Sequence, residues 1–155
     1  MTDEKELGAL RKLPSLSNVP ETTLKLIAMV SELQHFETGE FIIREGECGD
    51  DLYVLVEGAV DFLLEGHDGS VALSHEVTTN NSIGVLGAFS NKPHTHSVKT
   101  TEPTRALKCP KQTAIELIRE TPELAFNALA VFAERWDNVV RLLRDTRLPS
   151  SKMEP

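Results

Sequence analysis

Two histidines separated by one threonine, in His94-Thr95-His96, are the residues whose types and spacing most directly suggest chemistry. They end the stretch IGVLGAFSNKPHTH, in which Gly84 and Gly87 stand among small apolar residues. A helix that opens with glycine can present backbone N–H groups to an anion, and two histidines on one strand face can ligate a metal. The stretch therefore raises two hypotheses, a loop that wraps an anionic ligand and a metal centre.

The metal hypothesis rests on His94 and His96, with His75 as a third ligand, and it resembles the His-x-His pattern of cupin enzymes. Cupins place a Glu closer to the pair than Glu102 stands here, and they follow it with a Gly that this chain lacks. Their second glycine-rich motif does not occur either. We therefore expect no metal, and a cupin-like metal enzyme is the remote alternative. Because no serine stands in a glycine elbow, no catalytic residue is predicted.

The composition is that of one globular domain with a core. The chain has 155 residues, of which 40% are hydrophobic, and its net charge is −8. An acidic surface disfavours nucleic acid and anionic membranes, and no apolar run reaches the roughly 20 residues that span a bilayer. The N-terminus lacks the apolar segment of a signal peptide, and Cys48 and Cys109 suggest neither a disulfide framework nor a zinc site. We expect a cytoplasmic protein.

The residue pattern in the middle of the chain predicts β structure. Between residues 36 and 110, β-branched and aromatic runs alternate with clusters of Gly, Asn and Asp, as in an all-β sandwich or roll. Asp68-Gly69 favours a hairpin turn. The predicted strands cover residues 41–45, 51–57, 59–65 and 70–77, with two more short strands within 97–110.

Helical patterns flank this region. Asn18 and Glu21 have the spacing of a capping box, and the apolar spacing that follows predicts a helix over about 19–33. Thr121-Pro122-Glu123 is a strong helix start. The predicted organisation is a connector or helix at 1–17, a domain at 18–148 with its β-roll at about 36–110 and C-terminal helices at about 111–145, and a disordered tail at 149–155. Within 111–145 we predict a short helix at 111–120 and a long one from 122 to about 144.

The long helix carries an apolar seam with spacings of four and three residues, at Ala125, Leu129, Phe132, Trp136, Val139 and Leu143. We expect its first half, 125–132, to pack on the β-roll. The second half has less protein left to pack against, so it predicts a partner helix, and a homodimer is the simplest form of this. The predicted partner surface comprises Leu129, Phe132, Trp136, Val139, Val140 and Leu143.

The segment FETGEFIIREGECGDDLYVLVEGAVDF (36–62) resembles the glycine-punctuated part of cyclic nucleotide-binding domains. The matching glycines are Gly39, Gly46, Gly49 and Gly58, and we expect each to stand at a sharp turn that requires a positive φ. The resemblance covers roughly residues 10–145. It implies a mainly β fold with flanking helices, a jelly-roll-like β-roll with an N-terminal helix and a short plus a long C-terminal helix.

In that family, the part that aligns with 83–98 is the phosphate-binding cassette. Its glycine-opened helix offers N–H groups to the cyclic phosphate, a Glu binds the ribose hydroxyl and an Arg binds the phosphate. In this chain Val85 stands in place of the Glu and His94 in place of the Arg, so the cassette looks degenerate. By this resemblance the candidate ligand-binding residues are Gly84, Val85, Leu86, Gly87, Ala88, His94, Thr95, His96 and Ser97.

Together these features predict a non-enzymatic regulatory or sensor module that binds cyclic AMP or cyclic GMP weakly or not at all. It would act through protein contacts of its C-terminal helix, with an unknown partner protein or output domain. The alternative is a working sensor of a cyclic nucleotide or another small anion that uses His94, Ser97 and backbone amides. No cofactor is expected, and the candidate ligand is a cyclic nucleotide or, in the alternative, another small anion. The family's transcription factors carry a helix-turn-helix after the long helix; this chain ends soon after it, so DNA binding is not expected.

Overall fold

The structure, a computed structural model, describes residues 4–78 and 82–147. Its helices are α1 (Glu4–Lys12), α2 (Glu21–Val30), α3 (Val85–Ser90), α4 (Lys111–Glu120) and α5 (Pro122–Arg147), with a 3₁₀ turn at Pro14–Leu16. Its strands are β1 (Glu32–Phe36), β2 (Phe41–Ile43), β3 (Asp51–Glu57), β4 (Ala59–Glu65), β5 (Val71–Thr78), β6 (Ser82–Ile83), β7 (Ser97–Thr100) and β8 (Thr104–Pro110). The predicted tail at 149–155 lies outside the described residues.

The strands form two four-stranded antiparallel sheets, in the orders β1-β8-β3-β6 and β2-β7-β4-β5. This confirms the predicted β-roll with an N-terminal helix and a short and a long C-terminal helix. The predicted strands over 51–57 and 59–65 are confirmed at both ends, and the strand predicted at 41–45 ends at Ile43. The predicted turn at Asp68-Gly69 joins β4 to β5, where the Gly66 N–H donates to the Ser70 carbonyl at 2.7 Å.

The hydrophobic core consists of two separate clusters, one between the sheets and one between the first sheet and the helices. Side chains from both sheets meet between them, at Ile43, Leu55, Val60, Ile83, Val98 and Ala106. The outer face of the first sheet is covered by helices, in a second cluster that joins Val56 and Leu107 to Leu10, Leu24, Leu117 and Leu124. Because β3 is covered on both faces, its sequence is a nearly continuous apolar run rather than an alternating one.

Helix α1 takes part in this second core, since Leu7 and Leu10 are buried there beside Leu107. Lys5 of the same helix forms an ion pair with Glu57 of β3 at 2.8 Å. The domain boundary expected at residue 18 stays a prediction.

The helix predicted over 19–33 is wrong at its C-terminal end. Helix α2 stops at Val30 because Ser31 is extended, with φ −97° and ψ 152°. Residues 32–36 then form β1, which pairs with residues 104–108 of β8. The predicted capping box is wrong as well: Asn18 is left-handed at φ 60° and Pro20 occupies the cap position, with no side-chain hydrogen bond at the cap. Long-range pairing with β8 overrides the local helical spacing.

Helix α5 begins at Pro122, as predicted, and extends to Arg147. The prediction that the first half of its seam packs on the β-roll is wrong for Ala125 and Leu129, which are exposed. The face that packs inward is rotated from the seam and carries Leu124, Ala128, Val131, Phe132 and Arg135. The Asn127 side chain donates to the Ser17 carbonyl at 2.7 Å and helps set this rotation.

Candidate functional site

Gly84 fixes the start of α3. Its backbone is left-handed, at φ +86°, and a Cβ at this position would lie 2.8 Å from the Asp51 carbonyl oxygen of β3. Both facts require glycine. The Ala88 N–H donates to the Gly84 carbonyl at 3.0 Å and closes the first turn. The short helix predicted from the resemblance therefore exists, and its first turn is held directly against β3.

His94 is tied to the loop after β2. Its backbone N–H donates to the Glu47 carbonyl, and its carbonyl accepts from the Gly46 N–H, both at 2.9 Å. The imidazole is only 7% exposed and lies between Gly49 of that loop and Gly87 of α3. We call the space enclosed by residues 46–49, 84–88 and 94–97 the cradle. The cradle is thus occupied by a side chain of the protein itself.

Two glycines make room for this ring. A Cβ at Gly87 would lie 2.6 Å from the imidazole Nδ1, and a Cβ at Gly49 would overlap Nε2. The expectation of a positive φ is confirmed for Gly39, Gly46 and Gly58 and is wrong for Gly49. Gly49 is needed for contact with His94 rather than for a turn.

The electrostatics of the cradle favour a neutral ring at residue 94. Burial lowers the pKa of His94, and the Glu47 carboxylate opposes this only in part. Burial also lowers the pKa of His96, helped by His94 and Arg135 and opposed by Glu45. A neutral imidazole offers an anion one N–H donor at most and no charge.

The remaining residues at the end of the cradle already have partners. The buried Ser97 hydroxyl accepts from the Glu45 N–H at 2.9 Å. The His96 ring lies 5.1 Å from the Phe62 ring at a tilt of 50°. Thr95 is exposed, and its hydroxyl is 3.4 Å from His96 Nδ1. Gly87 and His94 are thus brought into contact, Gly84 and Ala88 belong to the same first turn of α3, and Thr95 is exposed.

Val85 faces a different space from His94. Together with Phe89 it lines a cavity of about 130 Å³ between the first sheet and the helices, which we call the helical cavity. Leu86 and Phe89 are partly exposed at the edge of the same region. At the position where the resemblance implies a ribose-binding Glu, the chain thus places an apolar side chain that packs toward α5.

The described residues contain no cluster of three or more His, Cys, Asp or Glu side chains that could hold a metal ion. His94 and His96 have different surroundings, since one ring is wedged between two glycines and the other packs on Phe62. The side chain of His75, the third candidate, lies outside the described part of the chain. No helix within residues 4–78 and 82–147 has the length and apolar character to cross a bilayer.

The predicted partner surface on α5 divides into exposed and packed residues. Leu129 and Trp136 are 66% and 67% exposed, and Val139 and Leu143 are exposed to a smaller degree. Phe132 and Val140 are half-buried, and Phe132 lines the helical cavity. Phe126, which the seam did not include, is 72% exposed on the same side of the helix.

Two features of this site are not predicted by sequence patterns: the contact of Gly49 with His94, and the position of Arg135 on the inward face of α5. The available signal for Arg135 is its spacing, because it follows Leu124, Ala128 and Val131 on the inward face of α5. A charged residue on an apolar helix face marks a position worth inspection.

The family of the chain follows from a sequence match. The family model described as "Cyclic nucleotide-binding domain" matches residues 33–121, more than half of the chain. The chain belongs to the cyclic nucleotide-binding domain family. The expected family resemblance is confirmed.

Individual family members agree with this assignment. A CRP-like cAMP-activated global transcriptional regulator of Mycobacterium tuberculosis is 30% identical over 71% of this chain, and the match spans 50% of that regulator. A cyclic nucleotide-binding domain from Methylobacillus flagellatus has a similar fold, with a TM-score of 0.80 and 15% identity over 96% of this chain and 85% of its own. The regulatory subunit of a cAMP-independent protein kinase A from Trypanosoma brucei has a TM-score of 0.74 and 23% identity over 84% of this chain and 47% of its own. This chain covers half the length, or less, of the regulator and of the kinase subunit.

Proposed function

We propose that this domain is a non-enzymatic regulatory module whose cyclic nucleotide site is closed by its own side chain. The observation that carries the proposal is the His94 imidazole, buried in the cradle between Gly49 and Gly87. A phosphate would have to displace this ring to reach the first turn of α3. The proposed consequence is weak or absent binding of cyclic AMP and cyclic GMP.

The missing charges support the same conclusion. Truncating one partner of a buried charge pair costs about 2–5 kcal/mol. With Val85 and His94 in place of a Glu and an Arg, the loss corresponds to about three or more decades in affinity. Ser97 compensates little, because its hydroxyl already accepts from the Glu45 N–H. The same fold occurs in the regulatory subunit of a kinase described as cAMP-independent.

Calorimetric titration with cyclic AMP and cyclic GMP, at pH 6 and pH 7.5, tests this proposal. We expect no saturable heat with the unchanged protein up to millimolar nucleotide, and binding by the V85E/H94R double variant. His35→Arg, which repeats the His-to-Arg exchange at an exposed position on β1, is the control for the added guanidinium and should show no binding. Micromolar binding by the unchanged protein, stronger at pH 6, would establish the alternative, a working sensor in which protonated His94 replaces the arginine.

The output of the module is proposed to be protein contact through α5. Phe126, Leu129 and Trp136 expose large apolar side chains on one side of this helix, beside Val139. Leu129 and Trp136 are seven residues apart, the spacing at which a pairing helix repeats its contacts. A second copy of the chain supplies the same stripe, so a homodimer is the proposed assembly.

Sedimentation equilibrium measures this assembly directly. We expect the unchanged domain to dimerise and the Trp136→Glu variant to be monomeric, because a carboxylate would be buried in an apolar interface. Asn138→Glu adds the same charge to an exposed position on a different face of α5 and should leave the dimer intact. If the unchanged domain is monomeric, the homodimer is refuted, and the exposed apolar side chains of α5 would instead contact a different protein.

A further inference from the structure

The helical cavity is a second space, separate from the cradle and partly open to solvent. Its volume is about 130 Å³, and it is bounded by α1, β3, α3, α4 and α5. Nearly all of its surface is apolar, and representative walls are Leu10, Val54, Val85, Leu117 and Phe132. A dry cavity of about 150 Å³ with a similar aliphatic and aromatic lining is large enough to hold benzene. The helical cavity therefore has room for a small apolar molecule.

One charged side chain lines this apolar space. Arg135 of α5 is half-buried, and its Nη2 donates to the Ser82 carbonyl of β6 at 3.3 Å. Among the described residues, no carboxylate forms an ion pair with it. Burial lowers the pKa of this guanidinium, yet an arginine stays charged in proteins. A half-buried cation that has one carbonyl acceptor at 3.3 Å, and no carboxylate partner among the described residues, has capacity for an anion.

Among the described residues, no other side chain that lines the cavity provides a compensating negative charge. Cys109 is the other ionisable side chain in the lining, and burial raises the pKa of its thiol, so it is neutral. His96, whose pKa Arg135 helps to lower, is neutral as well. The charge on Arg135 is thus left for a ligand to balance.

We propose that the helical cavity binds a small apolar monocarboxylate, with its carboxylate on Arg135 and its hydrocarbon body among the apolar walls. A planar carboxylate matches the fork of a guanidinium. A phosphate group is disfavoured, because Arg135 is the one charged side chain among the described residues of the lining and would leave the second negative charge of a phosphate unbalanced. The volume limits the body of the ligand to about the size of a benzene ring or a short alkyl chain.

The position of this cavity links two parts of the molecule. Its walls include Val85 and Phe89 of α3 and Ala128 and Phe132 of α5. A carboxylate ligand would therefore touch both the helix of the cradle and the long helix. This binding does not depend on whether the cradle accepts a cyclic nucleotide.

The test is a titration of the protein with benzoate and with hexanoate, followed by amide and methyl chemical shifts in NMR spectra. We expect saturable shifts that centre on Ser82, Val85 and Arg135. Benzyl alcohol and hexanol, which keep the body and lose the charge, should bind about tenfold more weakly or worse. Equal binding of the acid and the alcohol, or shifts that centre elsewhere, would overturn the proposal.

Two variants and one control distinguish the contribution of the Arg135 charge from that of the cavity volume. Arg135→Gln should weaken benzoate binding about tenfold or more and leave benzyl alcohol binding unchanged, which also shows that the cavity is intact. Arg141→Gln removes the same charge from an exposed residue paired with Asp137 and should bind like the unchanged protein. Ala128→Leu, which fills the cavity, should abolish binding of both molecules. Undiminished benzoate binding by Arg135→Gln or by Ala128→Leu would refute the assignment.

Discussion

The cradle and the helical cavity lie on two sides of the same short helix and differ in how they are filled. On one side, Gly87 of α3 is in contact with the His94 ring, which occupies the cradle. On the other side, Val85 and Phe89 border a space of about 130 Å³ lined by the Arg135 guanidinium, which forms no ion pair with a carboxylate among the described residues. The segment that aligns with the family's phosphate-binding cassette thus packs on the His94 ring, whereas a cation stands in a neighbouring, mainly apolar space.

This difference has a structural cause in residue size. In the cradle, two glycines remove the atoms that would collide with the imidazole, so the ring and the glycines form one packed unit. In the helical cavity, Ala114 and Ala128 line the wall with small side chains that leave part of the cavity unfilled. Added atoms should therefore have opposite effects on stability in the two places.

The largest effect is expected in the cradle. Gly49→Ala places a methyl group against the His94 ring, and overpacking of this kind costs about 1–3 kcal/mol of unfolding free energy. Urea denaturation measures the loss. Gly8→Ala in α1 is the matched control, because a Cβ there meets nothing within 4 Å, and alanine stabilises a helix interior.

A double-mutant cycle with His94→Ala sharpens this prediction. Without the imidazole, Gly49→Ala should have little further cost, so the two changes should couple by about 1 kcal/mol or more. Additive losses would mean that Gly49 is required for its backbone rather than for the ring.

An intermediate effect of opposite sign is expected in the helical cavity. Ala128→Leu adds apolar atoms to empty space and should raise the unfolding free energy by about 0.5–2 kcal/mol. The melting temperature should rise accordingly. Asn138→Leu, at an exposed position of the same helix, should give no comparable gain. A loss of stability in Ala128→Leu would show that the cavity walls are rigid and already closely fitted.

Much of the fold could be predicted from local sequence. The runs at 51–57 and 59–65 and the Thr121-Pro122 start of α5 are all marked by strong local patterns, and each is found where expected. The strand at 32–36 was missed because its stability comes from pairing with β8, some seventy residues away in the chain. No local pattern records such a partner.

The backbone positions of the site were predictable from the sequence, whereas the packing of its side chains was not. The position of Gly84 and the absence of an arginine at residue 94 follow from the sequence alone. The wedge of His94 between Gly49 and Gly87 depends on three segments that meet only in the folded chain. The rotation of α5 also depends on contacts between distant segments. Its contact with residues 14–17 helps to turn Arg135 rather than Leu129 inward.

The smallest effect is expected from pH, and it tests whether the cradle ring is truly neutral. Burial lowers the pKa values of His94 and His96 in the folded state, while nearby Glu47 and Glu45 partly offset the shifts. Above the unfolded-state pKa of about 6.5, both states are neutral and the full stability is present. As the pH falls below about 6.5, the unfolded chain binds protons first, so stability declines until the pH passes the lowered folded pKa values.

Urea denaturation at pH 7.5, 6.5 and 5.5 measures this decline. The H94Q/H96Q variant should be less stable overall and should lose less stability over the interval, whereas His35→Gln, at an exposed position, should keep the original slope. The Glu21, Glu57 and Asp68 carboxylates, whose pKa values are lowered by hydrogen bonds to Arg11, Lys5 and Ser70 in turn, lose their contributions at more acidic pH and do not confuse the result. A stability that stays flat or rises toward pH 5.5 would mean that the cradle accepts a protonated histidine, and with it an anion.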